Sequence, residues 1–525
     1  MAKRVDQLGE ARGGLWVLDI DGPGSQGSDA VQPMFLRIAR AISHDIRRGR
    51  LASGTRLPGS RALSRSLGVH RNTVLAAFRE LLAEGWIAPQ HGRGTFVSAD
   101  LPETTARRFG RPRLAAARAE PLPAAERVGF AFAPRARPIA ERSALPPTAK
   151  PILRMFGGMP DLREVPHAAL SRAHRRVLRR APATLGYADP AGHPQLRAAL
   201  ASLLTARRGL GVQADDLLIT RGSQMGLALA AASLVSPGDT VAVEALGYQP
   251  AWRALEQAGA RILPIPVDEQ GLSVPLLAAA CERQSIRAVY VTPHHQYQST
   301  VDMSPGRRLA LLSLAVRERM LILEDDYDHE FHYEGRQLLP LKSADETGNV
   351  VYVGTMSKVF APAVRVGYVI APRPVLQDMI ARRLYLDRQG DQVTEAALAE
   401  LIEDGELERH TRRMRRLYHT RRDVCVAQLH KQLPAALQFE VPSGGMALWA
   451  RAASDIDVMA WSRAAEQVGV AFQPGQPFRW DGKPSPYLRI GYACLREEEL
   501  ITAVRRLQQS LKHARTGPLR AGGGT

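Results

Sequence analysis

Cysteine is scarce. Only Cys281, Cys425 and Cys494 occur in 525 residues, an odd number spaced far apart, which excludes a disulfide framework and offers no metal-ligand spacing. They read as reduced thiols in or near a core, and no metal site is expected. No apolar run reaches the roughly 18 residues that a membrane-spanning helix needs. Residues 1–10 are polar, without an apolar signal core, so the expectation is a cytoplasmic chain with no membrane partner. Acidic residues are in deficit: 52 Asp and Glu stand against 70 Lys and Arg, a formal net charge of +18. That balance favours a polyanionic partner, although a generally arginine-rich composition would produce it too. What is present, 45% hydrophobic and 23% charged residues, suits a globular protein whose length predicts two to four domains.

Basic charge concentrates in one stretch. Between Val31 and Ser98 stand Arg37, Arg40, Arg47, Arg48, Arg50, Arg56, Arg61, Arg65, Arg71, Arg79 and Arg93, against only Asp45, Glu80 and Glu84. Before this module, 1–30 is a lead-in with a candidate strand at Leu15–Leu18. After it, 99–150 turns to Ala, Arg and Pro without periodicity and reads as a linker. A flexible coil of that kind spans roughly 35 to 40 Å, and more where proline stiffens it. Residues 151–512 alternate helical patterns with short apolar runs, Val241–Val243, Ala288–Val291 and Leu321–Leu323, as an α/β domain with a mostly parallel sheet does. The stretch 513–525 is expected to be a flexible tail.

Within the module, Phe35, Ile38, Ile42 and Ile46 mark a first helix. A second enters at Pro58-Gly59, with Ser60 as its expected cap and Leu63 and Leu67 as its apolar stripe, and Gly68 stops it. A third turns Val74, Ala77, Phe78, Leu81 and Leu82 inward and presents His70, Arg71, Asn72 and Thr73 on its first turn, where a recognition helix meets bases and phosphates. Trp86–Ala88 and Gly94–Val97, joined through Gly92-Arg93, read as a wing with a basic tip. The segments Arg56–Leu63, Leu67–Val74, Glu84-Gly85 and Gly92–Val97 resemble the GntR-type winged helix-turn-helix. The resemblance implies double-stranded DNA contacts by Arg61, Arg71 and the wing glycine region, Arg93 and Gly94, and the first-turn positions add His70, Asn72 and Thr73 to the expected DNA-binding set. His70 stands where that family often has a small hydroxyl residue.

In the larger region, Lys358 follows the apolar run Tyr352-Val353 and precedes Arg365 by seven residues. A lysine shielded at a strand end can condense with an aldehyde, and an arginine can bind phosphate. Leu323–Asp328 places acids and Tyr327 after another strand. Ile219–Gln224 reads as strand, glycine turn and helix N-terminus, a further phosphate feature. With Tyr187–Gly192 and Pro237–Asp239 these segments resemble fold type I aminotransferases. Thr292–Tyr297, Glu324–Asp328, Gly354–Lys358 and Arg409–Arg415 are similar to the MocR pattern of GntR-type regulators, over about Gly157 to Leu507.

That resemblance implies a winged helix-turn-helix joined to a fold type I domain that binds pyridoxal 5'-phosphate. Lys358 is then the lysine of the internal aldimine, Asp325 the partner of the pyridine nitrogen and Tyr327 the contact to the ring hydroxyl. Arg365, Thr355, Ser223 and Gln224 hold phosphate, Tyr248 stacks on the ring, Tyr187 reaches the partner subunit's phosphate, and Arg489 binds the carboxylate of an effector. Two departures stand out: Gln296–Thr300 lacks the proline and glycine that relatives have there, and Leu246 replaces a proline before Gly247-Tyr248. The function implied is a homodimeric, ligand-responsive regulator that binds an operator and senses pyridoxal phosphate or a small amino compound such as GABA or taurine. It is not expected to be a physiological enzyme, though a half-reaction is chemically possible. The rival readings are a working aminotransferase with an accessory DNA-binding module and a scaffold without cofactor. The arginine run Arg412, Arg413, Arg415 and Arg416 reads as a solvated or interface helix face rather than a second DNA site.

Overall fold

The computed structural model describes residues 18, 33–90, 92–99, 101, 152–180, 183–335 and 338–514. They fall into two compact units, one within 1–132 and the other within 133–525. The candidate strand Leu15–Leu18 and the linker over 99–150 lie outside the described residues except for Leu18, Ala99 and Leu101. Leu18 is not in a strand; it is buried in the small unit's core.

In the small unit, α1 (Met34–Arg47) buries Ile38, Ile42 and Ile46, one side chain per turn. Helix α2 (Ser60–Leu67) ends at Gly68, whose φ of +63° suits a residue without Cβ. The expected cap by Ser60 is not made. Gly59 is the N-cap, and the Ser60 hydroxyl, already inside the helix, accepts from Arg71 Nε at 3.3 Å. Helix α3 (Arg71–Ala83) buries Val74, Ala77, Phe78 and Leu81, but Leu82, expected inward, is 37% exposed because it sits one residue round the helix from Leu81. The wing is the antiparallel pair β1 (Ile87–Gln90) and β2 (Gly94–Val97), with Gln90 opposite Gly94.

The large unit begins with β3 (Leu153–Met155) and continues through β4 (Leu217–Thr220), β5 (Thr240–Glu244), β6 (Arg261–Ile265), the short pair β7 (Val267–Asp268) and β8 (Gly271–Leu272), β9 (Ala288–Val291), β10 (Leu321–Asp326), β11 (Val350–Thr355) and β12 (Gly367–Ile370). Its seven-stranded sheet has the order β4-β12-β11-β10-β9-β5-β6, and β12 alone runs against the others. Strands β5, β9, β11 and β12 are buried along their whole length, which is why they appear in the sequence as unbroken apolar runs and not as alternation.

A second sheet joins β13 (Leu437–Phe439), β14 (Ala447–Ala452), β16 (Tyr487–Gly491), β15 (Val470–Pro474) and β3, in that order. The 27-residue helix Glu406–Gln432 lays Met414, Tyr418, Cys425 and Leu429 into the core around this sheet. Its arginines Arg412, Arg413, Arg415 and Arg416 are exposed. Of the tail expected from residue 513, Ala514 belongs to the packed unit, being 2% exposed with its carbonyl accepting from Asp457 N at 3.0 Å. Residues 515–525 lie outside the described residues.

Candidate functional site

The chemistry-bearing residues of the large unit gather where the parallel strands end. Ser223 follows β4, Tyr248 follows β5, His295 follows β9, Asp325 lies next to the end of β10, and Lys358 follows β11. In an open α/β sheet the crevice beyond the carboxyl ends of the strands is the natural ligand site, since the loops there are free of the ladder and converge.

Lys358 is largely buried. Burial, Arg489 and Arg365 hold its ammonium below the usual lysine range, against the pull of Asp328 and Asp325. Gly158, at φ +73°, passes close to it: a Cβ there would stand 3.7 Å from Lys358 Nζ. On β10, Asp325 Oδ2 accepts from Tyr290 Oη at 2.8 Å, while Oδ1 is buried and has no hydrogen-bond partner among the described residues. Burial pushes this carboxyl up to about 7, although Tyr290 and Lys358 oppose the shift. A buried acceptor left open beside a lysine is costly unless a donor is to be supplied.

The phosphate candidates assemble around one turn. Arg365 has a left-handed backbone (φ +50°), and its Nη2 donates to the Arg221 carbonyl at 2.8 Å. Gly222 caps the helix Ser223–Leu234 at φ +76°, and a Cβ there would stand 3.1 Å from both terminal nitrogens of Arg365. The guanidinium and the amides of the first helical turn thus face one small space, a cradle for an anion. Thr355 Oγ1 and Ser357 Oγ bond each other at 3.0 Å nearby in sequence to Lys358. The Gln224 side chain is committed elsewhere, its Nε2 donating to the Pro250 carbonyl at 3.1 Å, so the first-turn backbone is what Gln224 offers an anion.

Arg489, on β16, is 1% exposed, yet its Nε and Nη1 have no hydrogen-bond partner among the described residues. Gly157 makes room for it, because a Cβ there would lie 2.4 Å from Nε. The Arg489 guanidinium stands 4.8 Å from the Tyr297 ring centre, and Tyr297 packs edge-on against Tyr248 at 4.8 Å and Tyr327 at 5.5 Å. Tyr327 donates its hydroxyl hydrogen to the His295 carbonyl at 2.5 Å, leaving its oxygen as an acceptor. Tyr187 stands apart from this group, 82% exposed with the Arg388 guanidinium 4.2 Å from its ring centre.

Three contributors were not singled out from sequence. Tyr290 was hidden inside an apolar strand, Tyr297 lay in a family-like segment and an altered loop but was given no role, and the Gly157-Gly158 doublet carries its meaning through close approach. In the altered loop, Gln298 is wholly buried with neither amide atom partnered among the described residues, and Thr300 takes a left-handed φ of +60°. A groove of about 1170 Å³ runs past this loop, lined by Leu246, Ser299, Thr300, Asp302 and Trp449, but it does not include Lys358. The open donors and acceptors around Lys358 mark the candidate site.

In the small unit, His70, Arg71 and Asn72 are exposed at the start of α3, Arg61 is exposed on α2, and Arg93 and Gly94 are exposed on the wing, with Thr73 half-buried. His70 takes over the capping role of the missing hydroxyl: its Nδ1 accepts from the Asn72 N–H at 3.2 Å.

Residues 35–97 match the family of bacterial regulatory proteins, gntR family, and residues 157–507 match aminotransferase class I and II. The chain is 33% identical over 467 residues to the probable rhizopine catabolism regulatory protein MocR of Rhizobium meliloti, covering 89% of this chain and 91% of that protein. It is 30% identical to the HTH-type transcriptional regulator TauR of Rhodobacter capsulatus, covering 93% and 98% of the two chains. Among solved structures it is similar to the α-aminoadipate aminotransferase LysN of Thermus thermophilus, complexed with N-(5'-phosphopyridoxyl)-L-leucine. That likeness has a TM-score of 0.64 and 29% identity over 69% of this chain and 92% of that one.

Proposed function

This chain belongs to the MocR-type regulators, in which a gntR-family DNA-binding module is joined to an aminotransferase class I and II domain, and we propose that its large unit senses an amino compound bearing a carboxylate. It is a pyridoxal-phosphate-dependent, DNA-binding transcriptional regulator. The observation that carries the sensing proposal is the set of buried, unpartnered polar atoms around Lys358: Asp325 Oδ1, and Nε and Nη1 of Arg489.

Bound pyridoxal phosphate supplies an aldehyde that condenses with primary amines and a ring that draws electrons from the resulting bond. The chain's residues divide the remaining work. Lys358 offers the amine that holds the cofactor, and its lowered basicity leaves more of it unprotonated at neutral pH. Asp325 keeps a proton at the pyridine nitrogen. Arg365, with Thr355, Ser223 and the backbone of Gln224, binds phosphate, and Tyr248 and Tyr327 flank the ring. Arg489 takes the effector's carboxylate, to which it can give two charge-assisted bonds. His70, Arg71, Asn72 and Thr73, with Arg61, Arg93 and Gly94, contact the operator.

Regulation follows if effector binding changes how two DNA-binding modules are held in a homodimer, with Tyr187 completing the partner subunit's phosphate site. A coupling of about 1 to 3 kcal/mol is enough, roughly a 5- to 150-fold change in operator affinity. The experiment is to titrate the full chain and a Lys358→Ala variant with pyridoxal phosphate, following the visible spectrum, and then to measure operator binding with and without amino acids. A lysine-dependent band and an amino-acid-dependent shift in DNA affinity are expected. Identical spectra for the two proteins would remove the cofactor mechanism, and sustained transamination between two amino/keto pairs would make the large unit an enzyme.

A further inference from the structure

Behind the cofactor crevice the large unit buries two imidazoles and a carboxylate that the regulator reading does not use. His294 follows β9, Asp326 ends β10 and His329 lies three residues beyond it. All three are at least 95% buried, and one ligating atom from each falls within 4.8 Å of the others. We propose that His294, Asp326 and His329 form a binding site for a divalent transition metal of the zinc class. The inference stands independently of effector sensing.

Distances come first. A tetrahedral zinc-class ion holds nitrogen and oxygen ligands at about 2.0 to 2.2 Å, which puts neighbouring ligand atoms roughly 3.3 to 3.5 Å apart. His329 Nδ1 lies 3.3 Å from Asp326 Oδ2, and His294 Nδ1 lies 3.8 Å from the same oxygen. The two rings are nearly perpendicular, 84° apart with centres separated by 4.5 Å, so they do not stack and both can turn an edge to one point. The third edge, between the two imidazoles, is within 4.8 Å, so closure onto an ion asks the rings to approach by at most about 1.5 Å.

The groups behind these ligands are arranged as metal sites require. His294 Nε2 donates to the Leu338 carbonyl at 2.6 Å, which places the ring hydrogen there and leaves a lone pair on Nδ1. That lone pair is buried, has no hydrogen-bond donor among the described residues, and faces a carboxylate. Two electron-rich atoms facing each other in a dry interior call for a positive centre between them. Asp326 is held from behind, with Oδ2 accepting from Tyr352 Oη at 2.7 Å and from Arg208 Nη1 at 3.3 Å, while Oδ1 has no partner. Arg208 shares its one positive charge between Asp326 and Glu330, so the two carboxylates and one guanidinium keep a net negative charge.

Access exists as well. A cavity of about 130 Å³ between the helices Pro194–Arg208 and Glu406–Gln432 is lined in part by His329 and Glu330. The location gives the ion a consequence. His294 precedes His295, whose carbonyl positions Tyr327, and Asp326 follows Asp325 on the same strand with its side chain on the opposite face. An ion here clamps the ends of β9 and β10 from the far side of the sheet.

The test uses untagged full-length protein with its pyridoxal phosphate bound, freed of metal and titrated with Co²⁺ alone. Tetrahedral N/O coordination is read from absorption between the cofactor band and the red, and Zn²⁺ competition gives the affinity. One equivalent should bind, and His329→Ser and His294→Ser should each weaken binding at least 100-fold. Both variants are checked for native melting without metal; if His294→Ser fails that check, His329→Ser at the cavity edge decides. Overturning results are the absence of stoichiometric binding in the wild type, binding unchanged by His329→Ser, or binding lost instead on His332→Ala, which would place the ion at the neighbouring group His295, Asp302 and His332.

Discussion

A single guanidinium shows how much one residue can decide. Arg489 is buried with two nitrogens unpartnered, so its present environment leaves donor capacity that a carboxylate would fill. Charge-assisted bonds of this kind contribute about 1.5 to 3 kcal/mol. Arg489→Gln is therefore expected to weaken binding of carboxylate-bearing amino compounds roughly 10- to 150-fold, read by spectral titration, while the Lys358-dependent cofactor band persists. If the band disappears as well, Arg489 is holding the site together and not receiving the ligand. In the small unit His70 caps α3 through Nδ1. Replacing a capping side chain by alanine costs about 1 kcal/mol, and serine should substitute for it. His70→Ala should lower the stability of the DNA-binding module in denaturant melts, and His70→Ser should retain it. If instead both variants keep stability but lose operator affinity equally, the imidazole's role lies at the DNA.

At the scale of elements, the connection between the start of the large unit and the helix Glu406–Gln432 rests on Asp161. Its Oδ2 accepts from Arg421 Nη2 at 2.9 Å, its Oδ1 from Arg163 Nε at 2.7 Å, and its own N–H donates to Tyr418 Oη at 3.0 Å. The Asp161 and Arg421 side chains are only 2% and 3% exposed. Breaking a buried pair from one side costs about 3 to 5 kcal/mol, so Asp161→Asn should lower stability by that order at pH 7. Burial alone would raise the Asp161 carboxyl, but the bonds from Arg163 and Arg421 prevail and hold it below its usual 3.8. Its contribution is thus present above pH 3.8 and lost as the pH falls further through the folded value. Melts of wild type and Asp161→Asn from pH 7 to 3 should converge only at the acid end; a gap independent of pH would mean that packing, not charge, makes the difference. Such long-range ties were not legible in the sequence, whereas β5, β9 and β10 were, because apolar runs are local and an Asp–Arg pair 260 residues apart is not. Likewise Lys358 and Arg365 were legible in strand-end patterns, whereas Asp325 was singled out among its acidic neighbours only by the family resemblance, and Tyr290 and Tyr297 join the candidate site only through tertiary packing. His294, Asp326 and His329 escaped notice because two separate strand ends bring them together.

For the whole molecule the decisive question is whether each cofactor site is built by one chain or two. Tyr187 is 82% exposed, and other large apolar side chains share that exposure: Leu185 at 65%, Tyr385 at 88% and Leu386 at 68%. Where such side chains adjoin they suit an interface, and a twofold dimer would place the same surface on both subunits. On the proposed arrangement Tyr187 serves the other subunit's phosphate, which makes a mixed dimer informative. Tyr187→Ala alone should weaken pyridoxal phosphate binding, and Lys358→Ala alone should abolish the lysine-dependent band. When the two variants are unfolded together, refolded and purified as a heterodimer, one site receives Lys358 from one subunit and Tyr187 from the other. It should regain wild-type affinity at half the wild-type amplitude. If Tyr187 instead served its own chain, every site in the mixed dimer would carry one defect, and no wild-type site would return. Recovery would therefore mean that a cofactor-bound site requires dimerisation, so that occupancy by pyridoxal phosphate and the pairing of two DNA-binding modules on an operator become linked equilibria, each strengthening the other.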